Sequence, residues 1–373
     1  MLAIFQISKQ GGKERDCLAL AQFLTNRGHE VTLVTTSAVS RSSLPFKLTI
    51  LPKFNLTNHA RARAFARAVG ELNASTRPDA LMAFEKIPGA DFYYAADAVT
   101  ASPDRNLRSW LPRRRTFLAL ERGVFGKSSR SRVFFLTARQ RDEYIAAYDF
   151  DPSRSVVLPL ILHDDRYQAV LDHSQRIQIR EQLGLPRQAT VAISVAVQAK
   201  QKGVDRTLAA LTAYPQLHLL IVGSSDKWLT RRIQKLRLED RVRVVPYASN
   251  VMHLMLAADF LVHPARIEAA GQVISEALLA GCPAIVSAIC GYASEVTRSD
   301  AGIVLSEPFR PEILIDAISI MLKTLPTLRR AAAAESTRQR ECRGHWLTVI
   351  ADEVERFFFE RESFKASPST RQD

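Results

Sequence analysis

Across the 373 residues there is no run of eighteen or more apolar side chains, which excludes a membrane-spanning helix. Cysteine is scarce: Cys17, Cys282, Cys290 and Cys342 show neither metal-ligand spacing nor a disulfide framework. The chain therefore reads as a protein of a reducing, cytoplasmic compartment. The full glycine fingerprint of a dinucleotide site is also missing, since Gly11-Gly12 stands alone after the first apolar run; no nicotinamide or flavin site is read there. No recognised nucleic-acid motif accompanies the basic residues. Residues 1–8 are apolar but lack a basic leader and a cleavage site, and read as a first strand. Asp164-Asp165, an adjacent acidic pair, reads as a surface turn, and no metal ligand set is assigned.

What is present is a globular composition, 47% hydrophobic, on a chain long enough for two domains. Short apolar runs alternate with helical periodicity from one end to the other. Strands are predicted at 2–7, 31–34, 48–51, 80–84, 92–95, 133–136 and 156–158, with helices near 59–73, 113–124 and 138–148. A second series follows, with strands at 190–195, 217–222, 241–245, 260–263, 284–287 and 302–305. Its helices lie near 173–183, 203–213, 226–237, 249–257, 271–280 and 310–323. A further helix is expected to start at Pro326 and another to span 345–360, and residues 364–373 read as a disordered polar tail. This is an α/β chain of two Rossmann-like, doubly wound domains. The expected division is 1–160, joined by a returning helix at 345–363, and 161–344.

The most informative stretch runs from Glu268 to Glu276. It follows a short buried strand ended by Pro264 and leads into a helix beginning near Gly271. Open α/β sheets bind ligands in this position, beyond the carboxyl ends of their strands. The first amides of a helix are unpaired and carry the positive end of its dipole, so they stabilise a phosphate. Glu268 and Glu276 flank those amides, and an ionised carboxylate accepts hydrogen bonds from hydroxyls. A ligand with a diphosphate between two hydroxyl-bearing ends, such as a nucleoside diphosphate sugar, fits that order. The competing reading makes both glutamates solvated residues of a helix face.

Together with Gly11-Gly12-Lys13-Glu14-Arg15-Asp16, Lys86-Ile87-Pro88-Gly89, Tyr94-Ala95-Ala96-Asp97, Lys202-Gly203-Val204-Asp205-Arg206 and Cys290-Gly291-Tyr292-Ala293, this stretch resembles family 4 of the retaining glycosyltransferases. Within that family the similarity is to the lipopolysaccharide core α-1,3-glucosyltransferases, and it runs nearly end to end. The resemblance implies the GT-B fold, with two Rossmann-like domains facing a cleft and a C-terminal helix crossing back to the first. It implies a nucleoside diphosphate sugar as substrate, UDP-glucose first among several donors, with no cofactor and no metal. Glu268 would meet the donor sugar and Glu276 the ribose. The amides of Ala270, Gly271 and Gln272 would meet sugar and diphosphate, with Gly12, Lys200 and Lys202 completing the donor contacts. Relatives carry arginine then lysine before the glycine here, whereas this chain has Gln201 and Lys202. The resemblance places Asp97 near the reacting sugar, with His59 and Lys86 on the acceptor side. The residues alone leave Asp97 open as a turn or cap aspartate.

Net charge is +13, which implies an anionic partner. Between positions 105 and 132, nine basic residues face a single acid, Glu121. Trp110, Leu111, Phe117 and Leu118 are interleaved with Arg113, Arg114 and Arg115. Such a segment suits an anionic bilayer, or it is a solvated helix whose apolar side joins the core. The resemblance favours the membrane, with a lipid-linked glycan as acceptor and the inner face of the cytoplasmic membrane as location. A non-catalytic sugar-nucleotide binder and a nucleic-acid binder are the other classes. Oligomeric state is not legible.

Overall fold

A computed structural model describes residues 1–7, 12–37, 45–52, 57–101, 111–168, 173–248 and 250–366. The chain divides into two compact units, Met1–Pro159 with His345–Asp373, and Leu160–Gly344.

The first unit is built on seven strands: β1 (Leu2–Ala3), β2 (Thr32–Thr35), β3 (Lys47–Ile50), β4 (Met82–Ala83), β5 (Phe92–Ala95), β6 (Arg132–Phe135) and β7 (Ser155–Val157). They are ordered β3-β2-β1-β4-β5-β6-β7, every pairing parallel. The first predicted strand is regular only at Leu2–Ala3, but Ile4 still donates to Val34 and Thr36 to Phe5. Parallel strands covered on both faces should be apolar throughout. β5 and β6 answer to that, with Phe92, Tyr93, Tyr94, Val133, Phe134 and Phe135 all fully buried. The helices of this unit are α1 (Gly12–Asn26), α2 (Asn58–Thr76), α3 (Pro112–Phe125) and α4 (Ala138–Tyr148).

The second unit repeats the plan with six strands: β8 (Thr190–Val195), β9 (Leu217–Val222), β10 (Val242–Val245), β11 (Phe260–His263), β12 (Ala284–Ser287) and β13 (Gly302–Leu305). Their order is β10-β9-β8-β11-β12-β13, again all parallel. In both sheets the order reverses beside the first strand, between β1 and β4 and between β8 and β11. These are the points where a doubly wound sheet opens a crevice for a ligand. Its helices are α5 (Asp164–Tyr167), α6 (His173–Gln182), α7 (Val204–Leu211), α8 (Lys227–Lys235), α9 (Val251–Ala257), α10 (Gln272–Leu279), α11 (Ala293–Arg298) and α12 (Pro311–Glu341).

Three expectations need correction. Pro326 does not start a helix but lies inside α12. It sits on the exposed side of the helix, where the Leu322 carbonyl that loses its amide partner is not sealed in a core. Asp164-Asp165 opens the short helix α5 and is not a bare turn; Arg343 holds Asp164 at 2.8 Å. The last helix, α13 (His345–Ala366), runs three residues into the stretch expected to be disordered. Nothing in the sequence from Glu362 to Ala366 breaks a helix.

α13 does return to the first unit. It buries Trp346, Ile350, Ala351 and Val354 and sets Phe357 edge-on to Phe92 at 5.0 Å. Arg27 holds Asp352 and Glu355 at 2.7 and 3.0 Å, and Arg132 holds Glu353 at 2.7 Å.

Candidate active site

In the second unit the site forms where the loops after β8 and β11 touch. Gly203, at the N-cap of α7, has a left-handed φ of 76°. A Cβ there would stand 1.9 Å from the Pro264 carbonyl oxygen, so only glycine lets the loops meet this closely. Arg206 locks the same contact from the side, donating to the Pro264 and Ala265 carbonyls at 3.0 and 3.3 Å while its guanidinium lies 3.7 Å over the Phe309 ring. Arg266 joins the loops again through the Lys200 carbonyl at 2.7 Å and a two-pronged bond to Asp205 at 2.7 and 2.8 Å.

Glu268 hangs from the clamped loop. One of its oxygens accepts from Lys202 Nζ at 2.9 Å and lies 3.0 Å from His263 Nε2. Burial pushes this carboxyl up, but the His263 and Lys202 contacts outweigh it and hold the group below its ordinary value. The result is a fixed carboxylate, 14% exposed, able to accept hydrogen bonds from sugar hydroxyls. Gly271 caps α10 with a left-handed φ of 86°; Ala270 and Gly271 are buried and Gln272 half-buried at the first turn. Glu276, on the same helix, is met by Arg166 of α5, whose Nε is 2.8 Å from its carboxylate. Lys200 is exposed, with its carbonyl taken by Arg266.

The predicted donor residues of the second unit therefore gather on two neighbouring loops and one helix. Sequence reasoning missed His263, Arg166 and Arg266, and named Arg206 only within a motif, without a role. His263 was concealed as the last residue of an apolar strand, and Arg166 by the acidic pair before it.

The first unit has its own cavity, of about 490 Å³, at its switch point. Phe5 and Gln6 follow β1, Glu85 and Lys86 follow β4, and Asp97 and Thr100 follow β5; Arg61 and Phe117 close it from α2 and α3. Asp97 stands half-exposed above it, its backbone carbonyl held by Gln140 Nε2 at 2.9 Å and Tyr144 OH at 3.3 Å. Lys86 lines the cavity but is engaged by Glu121 at 2.6 Å. His59 lies against Thr57 and is not among the lining residues. Gly12 is exposed at the first position of α1. Arg113 and Arg115 project from the exposed side of α3 and Arg114 is half-buried. The opposite side enters the core through Leu120, Val124 and Phe125, the last stacked 3.9 Å from Tyr144. Trp110 lies outside the described residues.

Residues 175–340 match the model of the glycosyl transferases group 1. Over 339 residues the chain is 32% identical to the lipopolysaccharide glucosyltransferase WaaG of Escherichia coli K12, covering 88% of this chain and 90% of that one. The chain belongs to this glycosyltransferase family. A crystal structure of a WaaG, 29% identical, superposes with a TM-score of 0.82 over 95% of this chain and 98% of the other, which puts the glycosyltransferase in the GT-B fold class. Anabaena HepE, solved with UDP-glucose, shares the fold at 19% identity, with a TM-score of 0.71 over 96% and 100% of the two chains. Among the described residues of this glycosyltransferase, no cluster of three or more His, Cys, Asp or Glu is arranged to hold a metal ion, and no helix is long and apolar enough to cross a membrane.

Proposed function

We propose that this glycosyltransferase belongs to the retaining family 4 and moves glucose from UDP-glucose to a heptose of the lipopolysaccharide core, or to a similar lipid-anchored glycan. The observation that carries this reading is the Glu268 carboxylate, ionised and pinned by Lys202 and His263 beside the N-terminus of α10. Glu268 orients the hexose through its hydroxyls. The α10 amides and Lys202 meet the diphosphate as charge develops on it, and Glu276 takes the ribose. The departing phosphate serves as the base for an acceptor attacking on the same face, so neither a protein nucleophile nor a metal or other cofactor is needed. The names of the relatives, WaaG and the UDP-glucose-bound HepE, favour this donor. The acceptor sugar enters the cavity beside Asp97.

The test is transfer of radiolabelled glucose from UDP-glucose to heptose-terminated lipopolysaccharide, run beside UDP-galactose, UDP-N-acetylgalactosamine and GDP-mannose. Labelled product with UDP-glucose is expected; product with another donor alone replaces glucose in the reading. Binding of UDP-glucose without transfer to any acceptor would favour a non-catalytic protein.

A lipid-anchored acceptor brings the enzyme to an anionic surface, the inner face of the cytoplasmic membrane, through the exposed basic side of α3. A basic residue near such a surface contributes about 1 kcal/mol, so Arg113→Gln with Arg115→Gln lowers affinity for phosphatidylglycerol vesicles about thirtyfold. Flotation or sedimentation with vesicles reads this out. Unchanged binding removes α3 from the membrane surface.

A further inference from the structure

The cavity of the first unit contains an ion cluster of which only Asp97 has so far been given a part in the reaction. Lys13, in the first turn of α1, places Nζ 2.9 Å from Glu85 Oε1 and 3.8 Å from Asp97 Oδ2. Its side chain is 20% exposed, against 28% for Glu85 and 50% for Asp97. The three groups come from the ends of three elements: α1 behind Gly12, the loop after β4, and the loop after β5. Glu85 is also held by the backbone of Phe5, so it is fixed from two sides. Lys86, next along the chain, is engaged by Glu121 and the Thr100 hydroxyl.

The geometry points to Lys13 as the residue that positions Asp97 toward the acceptor sugar, with Glu85 as the anchor that holds Lys13 between the two carboxylates. This rests on the acceptor reading given above. One cation shared by two carboxylates leaves the cluster with an unbalanced negative charge facing the cavity. Such a cluster receives the hydroxyls of a sugar, in a cavity that Glu14, Arg61 and Lys86 also line.

Electrostatics within the cluster agree. Burial alone would lower the Lys13 ammonium, but Glu85 and Asp97 outweigh it and hold it above its ordinary value. Burial pushes the Glu85 carboxyl up, and Lys13 offsets part of that. The other charged or titratable groups facing the cluster are Glu14, Asp16 and Cys17 on α1, Arg61 on α2, Lys86 after β4, Tyr93 on β5 and Glu121 on α3.

Two substitutions with opposite signs test the assignment. Lys13→Met leaves two carboxylates facing each other without their cation, and neighbouring carboxylates resist ionising together. The acid limb of acceptor kcat/KM then moves up by about one pH unit, and acceptor KM rises about tenfold, the worth of one charge-assisted contact. Donor KM, measured with UDP-glucose, is unchanged. Glu85→Gln leaves Lys13 to Asp97 alone, and the acid limb moves down. Loss of packing alone would lower the melting temperature of both variants without moving the two limbs in opposite directions. If wild-type enzyme transfers glucose and both variants keep its acid limb and acceptor KM, the role assigned to Lys13 is wrong. If wild-type enzyme transfers nothing, it is the acceptor reading that fails.

Discussion

Glu268→Gln lowers glucosyl transfer about 100- to 1000-fold, the usual cost of losing one fixed charged contact to a reacting group. The amide fills the same space but carries no charge, so Lys202 and His263 lose the anion that orders them. The variant also reports on pH. Because the folded Glu268 carboxyl lies below its ordinary value of 4.5, its ionised form stabilises the native protein. That contribution is fully present above pH 4.5 and is lost as the pH falls through the lower, folded value. Melting curves of wild type and variant therefore converge on acidification. Steady-state transfer at saturating UDP-glucose and melting between pH 3 and 7 check both halves. Transfer within threefold of wild type would remove Glu268 from the reaction.

Glu121→Leu destabilises the protein by about 3–5 kcal/mol, because it strands a charged lysine away from water. The Glu121 side chain is fully buried and that of Lys86 is 8% exposed. Its carboxylate also accepts from Tyr148 OH at 2.6 Å and from the Thr100 amide at 3.1 Å. One acid thus ties α3, α4 and the loops after β4 and β5 together. Lys86→Met combined with Glu121→Leu removes both charges and recovers most of the loss. Urea unfolding of the two single variants and the double variant gives the coupling directly. A double variant no more stable than Glu121→Leu would show that packing around Glu121, not its charge, holds this corner.

The alternating plan was readable because it rests on local signals. β8, β9, β11, β12 and β13 are apolar runs bounded by glycine, proline or polar residues, and the strands stand at the predicted positions. Gly271 and the two glutamates were readable for the same reason, all lying within nine residues. Partnerships across the fold were not. Lys13 meets Glu85 from 72 positions away, and Arg166 meets Glu276 from 110. No periodicity links such pairs; only the parallel sheet brings the ends of distant elements together. The partner of Glu121 was hidden for a related reason. As the lone acid of a basic stretch it gave no sign of being the buried counter-charge of Lys86. Helix breaks were also over-read at Pro326, where solvent tolerates what a core would not.

The two units differ in how continuous they are along the chain. Leu160–Gly344 is a single uninterrupted segment, whereas the other unit needs both Met1–Pro159 and the helix beginning at His345. During synthesis the later unit can close first, with its sheet complete while the earlier one still lacks a wall. Until α13 leaves the ribosome, Phe92 misses the edge-on cover of Phe357. The nascent first unit must therefore wait for nearly two hundred further residues with that apolar face uncovered, the kind of surface that chaperones hold during translation.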